Sequence, residues 1–91
     1  MSNSIWKTPI ELPEKYESQI VVLPVGAIPL KLDFQHGRPT VWWIVNVDAK
    51  EEYRRLRWVS TGQVGRAISK EAYIGMVYDG PYVWHLFDEK I

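Results

Sequence analysis

Apolar residues in this chain come in short runs, and a glycine, a proline or a charged cluster breaks each run about every ten residues, the spacing of an all-β sandwich or small barrel. No segment sustains a helical period for about ten residues, so helices cannot supply the core. The clearest run is AIPLKLDFQ, where Ile28, Leu30, Leu32 and Phe34 alternate with Pro29, Lys31, Asp33 and Gln35. Alternation of that kind predicts one buried and one wet face. A tight connection through His36-Gly37-Arg38-Pro39 leads into TVWWIVNV and makes a hairpin. Further strands are expected at SIWKTP, at an edge because Pro9 cannot donate to a ladder, and at QIVVL, YRRLRWVST, YIGMVY and YVWHLF. Asp79-Gly80 is the turn signal between the last two, and the proline after it weakens the simplest two-residue turn. The fold expected is an all-β, small antiparallel sandwich or partly open barrel of about six to seven short strands, in one domain over residues 1–91.

Two strands break the one-faced rule. In TVWWIVNV, Val41, Trp43, Val45 and Val47 share one face, and Trp42 and Ile44 lie on the other with Thr40 and Asn46. In YVWHLF, Tyr82, Trp84 and Leu86 point one way while Val83, His85 and Phe87 point the other. A small sandwich has one interior, so a second apolar face needs a cover. With no long helix to provide it, Trp42, Trp43, Tyr82, Trp84, His85 and Phe87 are the candidate protein-interface residues, because aromatics concentrate at interface centres. The partner expected is a target protein or a second copy of the chain. The bland reading is tryptophan capping sheet edges in a monomer.

Charge narrows the alternatives. Eleven Lys plus Arg balance eleven Asp plus Glu, so no global field draws extended nucleic acid or an anionic membrane. The amino-terminal residues lack a basic region followed by an apolar one, and no run reaches membrane-spanning length. With no cysteine, thiolate metal sites and thiol nucleophiles are excluded. His36 sits in a turn, and His85 on an apolar strand reads as a hydrogen-bonded residue rather than a base or metal ligand. No serine has a nucleophile-elbow context and no paired acids share a clean strand face, so no catalytic residue, metal or cofactor is expected.

The strongest local charge is in KEEYRRLRW, where arginines alternate with aromatics as in sites that hold a nucleotide by charge and stacking. Alternation divides Arg54 from Arg55 and Arg57, and Glu51 and Glu52 stand near enough to pair with them. Solvated strand-face arginines are the simpler reading. The other is an anion site for a nucleotide, built from Arg55 and Arg57 with Arg66, Lys70, Thr61 and Gly62 of the glycine-bearing loop TGQVGRAISKE.

A set of short motifs runs in order along the chain. They are Lys7, Pro9 and Ile10; Leu23-Pro24 with Gly26-Ala27; GRPTVW from Gly37 to Trp42; Thr61-Gly62; Tyr73-Ile74-Gly75; and the terminal VWHLF. In this order, from Trp6 to Glu89, the chain resembles a family of small proteins encoded by bacteriophages and prophages. Gln63 stands where that pattern carries a histidine. The resemblance brings no activity and no catalytic residue. It implies a phage accessory protein in the bacterial host cytoplasm, where small proteins of this origin act by binding. Two functions fit: inhibition of a defence component by direct protein contact, or sequestration of a nucleotide second messenger.

Overall fold

The computed structural model describes residues 2–14, 17–64 and 68–90, with backbone alone at Lys90. Its strands are β1 (Asn3–Pro9), β2 (Ser18–Pro24), β3 (Ile28–Gln35), β4 (Arg38–Asn46), β5 (Glu51–Ser60), β6 (Tyr73–Asp79) and β7 (Tyr82–Lys90), and a 3-10 turn at Lys70–Ala72 precedes β6. They form two antiparallel sheets, β1-β4-β3 and β2-β5-β7-β6. The sheets pack face to face as a sandwich and do not close into a barrel.

Local chemistry sets the turns. Gln35 pairs with Arg38, and His36 and Gly37 both adopt positive φ (52° and 78°), as a two-residue hairpin of type I′ requires. Between β6 and β7, Asp79 pairs with Tyr82, so the turn is Gly80-Pro81. Gly80 takes the first central position at φ 57°, where glycine is favoured, and Pro81 takes the second, which needs no donor. Pro81 therefore completes the short turn.

The interior takes Val41, Trp43 and Val45 from β4, Leu56 and Trp58 from β5, and Leu23, Leu32, Val77, Leu86 and Ile10 around them. Trp43 and Trp58 are wholly buried, and each indole finds an acceptor: Trp43 Nε1 donates to Thr8 Oγ1 at 3.1 Å, Trp58 Nε1 to the Glu11 carbonyl at 2.8 Å. A buried indole without an acceptor would be costly, so these bonds fix β1 and the 10–12 segment against the core.

Two expectations are corrected. The alternation of Ile28, Leu30, Leu32 and Phe34 does not hold along β3, because the register shifts between Pro29 and Lys31. The bulge places Ile28 opposite Ile44 and Leu32 opposite Val41, so Leu32 enters the core while Ile28 and Leu30 stay 58% and 55% exposed. Nor is every arginine of KEEYRRLRW solvated. Arg54 shares the inner face with Leu56 and Trp58 and is 2% exposed. Its Nε and Nη2 donate to Asp88 at 3.1 and 2.7 Å, Nη1 to Glu52 at 2.9 Å and Nη2 also to the Ala27 carbonyl at 2.8 Å, while its guanidinium lies 5.4 Å from the Trp43 ring. Burial opposes the charge, but the hydrogen bonds to Asp88 and Glu52 outweigh it and hold the Arg54 pKa above its ordinary value.

Candidate functional site

The candidate interface residues fall in three places. Trp43 is in the core and cannot meet a partner, because β4 turns Val41, Trp43 and Val45 inward. Trp84 also faces inward and packs against the core, with exposed Tyr82 stacked on it at 5.6 Å. Trp42 lies on the outer face of the three-stranded sheet, and His85 and Phe87 lie on the outer face of the four-stranded one. No single patch unites them.

On the outer face of the three-stranded sheet, pairing aligns Ile5, Ile44 and Ile28 in a row across all three strands. The next row is Lys7, Trp42 and Lys31. Leu30, pushed out by the bulge, joins Ile5, Lys31, Asp33 and Trp42 around a shallow depression of about 400 Å³. Ile5, Ile28 and Leu30 are each more than half exposed. Lys7 Nζ donates to Gln35 Oε1 at 2.8 Å, and Lys31 Nζ lies 3.4 Å from Asp33 Oδ2, so of the two lysines in the Trp42 row one meets a neutral amide and the other a carboxylate. Chemically this is an apolar strip with a lysine at one margin and a lysine–aspartate pair at the other.

The outer face of the four-stranded sheet is partly covered from within. Ile68, Ser69 and Ala72 line, with Arg57, Val59, Phe87 and Glu89, a half-open cleft of about 180 Å³. His85 is hydrogen-bonded through both ring nitrogens, Nε2 to Thr61 Oγ1 at 2.8 Å and Nδ1 to Tyr73 Oη at 3.0 Å, as its place on an apolar strand led one to expect. Lys70 lines a neighbouring depression with Ile68, Tyr73, His85 and Phe87.

The candidate anion residues do not converge. Arg57 Nε donates to Glu89 at 2.8 Å and Nη1 to Glu17 at 3.1 Å, and the Glu89 hydrogen bond is the main cause of its raised pKa. Arg55 lies one outward position further along β5, and Thr61 and Gly62 lie past the opposite end of that strand. Arg66 is outside the described residues. Two carboxylates thus neutralise the centre of the proposed cluster.

A family model described as a domain of unknown function, DUF7352, matches residues 1–91. The chain belongs to that family. No curated protein and no solved structure matches it.

For this DUF7352 chain, sequence reading found Trp42 but missed the residues that make its surroundings apolar. Ile28 and Leu30 were assigned to the buried side by their spacing. The signal against that assignment was Pro29, since proline within a strand belongs to an edge or a bulge.

Proposed function

We propose that the protein is a non-enzymatic binding protein that seats the outer face of its three-stranded sheet on a bacterial host protein and blocks it by direct contact. The observation that carries this reading is the row Ile5–Ile44–Ile28, its two outer members exposed and Ile44 half-buried between them, with half-buried Trp42 beside it, an apolar surface that no described segment covers. Lys7, which meets the neutral Gln35 while Lys31 is paired with Asp33, defines the partner: an apolar ridge with a carboxylate placed opposite Lys7. The resemblance to phage-encoded proteins supplies the setting, a host cytoplasm in which the blocked protein is a component of antiviral defence. Among the described residues no helix is long and apolar enough to cross a membrane. A nucleotide sponge has less support, because Arg57 is already paired with two glutamates.

The test is expression of the wild-type chain in bacteria carrying a panel of defence systems, with phage plating efficiency as readout. Wild type should restore plating against one system, and the double variant Ile28→Lys, Trp42→Ser, shown to be folded by its thermal transition, should abolish that restoration. Restoration that survives the double variant would remove this face from the reading. No restoration across the panel would remove the anti-defence role.

A further inference from the structure

Four strand edges bound the two sheets, and three of them carry devices that discourage another strand from pairing. β1 presents Lys7 and Pro9. β3 and β6 are both interrupted by register shifts, at Pro29/Lys31 and at Tyr73/Gly75. They also lie against each other, so close that a Cβ on Gly75 would stand 3.2 Å from the Leu32 Cβ. β2, SQIVVLP, is different: it has no charged residue, no bulge, and no proline before its last position.

The direction of its free groups follows from the ladder. The Trp58 N–H donates to the Glu17 carbonyl at 2.9 Å, and the Val25 N–H to the Lys50 carbonyl at 2.7 Å. Both bonds join directly opposed residues of the β2–β5 register, so the hydrogen-bonded positions on this strand are the odd-numbered ones. Gln19, Val21 and Leu23 therefore spend their backbone groups on β5. Ser18, Ile20 and Val22 point theirs away from the sheet, and no described residue meets them. The side chains of Ile20 and Val22 lie on the outer face, 49% and 47% exposed, next to exposed Tyr53.

We infer that β2 is a dimerisation edge whose partner is β2 of a second copy, paired antiparallel about a two-fold axis through Ile20. In that register Ile20 faces Ile20 of the second copy and Ser18 faces its Val22, so every outward N–H and C=O of these three residues finds a partner. A shift that brought Pro24 into the pairing would lose a donor, which selects the Ile20-centred register. Self-pairing brings together two uncharged strands of chains whose formal net charge is zero, so no net charge opposes it. It also draws Ile20 and Val22 of both copies together beside the Tyr53 side chains. Two four-stranded sheets become one continuous sheet, and the three-stranded sheets with their Trp42 faces stay free on both copies.

The experiment combines light scattering and amide hydrogen exchange on the full chain over about 1 µM to about 1 mM, where a small interface half-fills. The mass should rise from 10.6 kDa toward twice that value. The amides of Ser18, Ile20 and Val22 should gain at least about tenfold protection at the high end, while those of Gln19, Val21 and Leu23 are protected throughout. Ile20→Pro deletes an outward donor that the chain itself does not use, and Ile20→Lys sets like charges on the two-fold axis. Each should hold the mass at the monomer value, so the test survives if one variant misfolds. A wild-type mass that stays monomeric at the highest concentration overturns the inference. So does a doubled mass with freely exchanging amides at 18, 20 and 22, or a dimer that both folded variants retain.

Discussion

Replacing Asp88 with alanine tests the energetics of the interior most directly. The substitution leaves the Arg54 guanidinium, 2% exposed beneath the Trp43 ring, without the carboxylate that takes both its Nε and Nη2. Removing one partner of a buried ion pair costs about 3–5 kcal/mol. Glu52 and the Ala27 carbonyl still accept from Arg54, which places the expected loss at the low end, about 3 kcal/mol. At about 4–8 °C per kcal/mol for a domain of this size, the thermal midpoint should fall by about 12–24 °C. Urea titration followed by tryptophan fluorescence measures the loss, since Trp43 lies against the perturbed group. On the arginine side the pH dependence is flat. A raised pKa adds stability that is complete below the ordinary arginine value and lost only above it, so the deficit of the variant should be equal at about pH 6 and about pH 9. The double variant Arg54→Met, Asp88→Leu, which removes both charges, should recover most of the lost stability. A loss under about 1 kcal/mol for Asp88→Ala would show that the pair does not hold the interior as argued.

Two further outcomes follow from polar groups in contrasting settings. Trp58→Phe, which removes one of the two donors to the Glu11 carbonyl and leaves the Gln19 Nε2 bond at 2.8 Å, should cost about 1–1.5 kcal/mol in urea unfolding, whereas Trp84→Phe should cost less than about 1 kcal/mol. The difference arises because Trp84 Nε1 is buried with no acceptor among the described residues, so deleting it relieves a cost that offsets the lost packing. Glu71, exposed in the 3-10 turn, accepts a hydrogen bond from Ser69 Oγ at 2.7 Å, and that bond lowers its pKa. Its contribution to the order of residues 69–72 is present above the ordinary glutamate range, near pH 4.3, and is lost as pH falls through the lowered value. Amide chemical shifts of 69–72 should follow that titration in wild type and lose it in Ser69→Ala; titration at or above the ordinary range would contradict the assignment.

The parts of the fold that depend on period and punctuation were legible in the sequence. Alternation marked the strands, and His36-Gly37 and the glycine at 80 marked the hairpins. Parity divided TVWWIVNV correctly into two faces, but it could not say which face was interior. That choice falls to Trp43 because Thr8 and Arg54, both distant in sequence, offer its indole an acceptor and a cation. The arginines illustrate the same limit. Arg54 and Arg57 look alike in the string, yet one faces Asp88 inside the sandwich and the other pairs with Glu89 and Glu17 outside it. Most of the candidate site was hidden for a different reason: a one-residue bulge at Leu30 reverses the inward and outward sense of the first half of β3.

The strand order also bears on how the chain reaches this state. β3–β4 and β6–β7 are hairpins that close locally, whereas β1 must find β4, and β2 must find β5, each past the intervening β3 and its turns. Loop closure of that kind costs entropy before any contact compensates it. The amino-terminal strands are therefore the natural latecomers in assembly, added to a nucleus of hairpins. During synthesis β1 and β2 emerge ahead of the strands that receive them, and until β5 arrives the apolar QIVVL lacks the strand it pairs with.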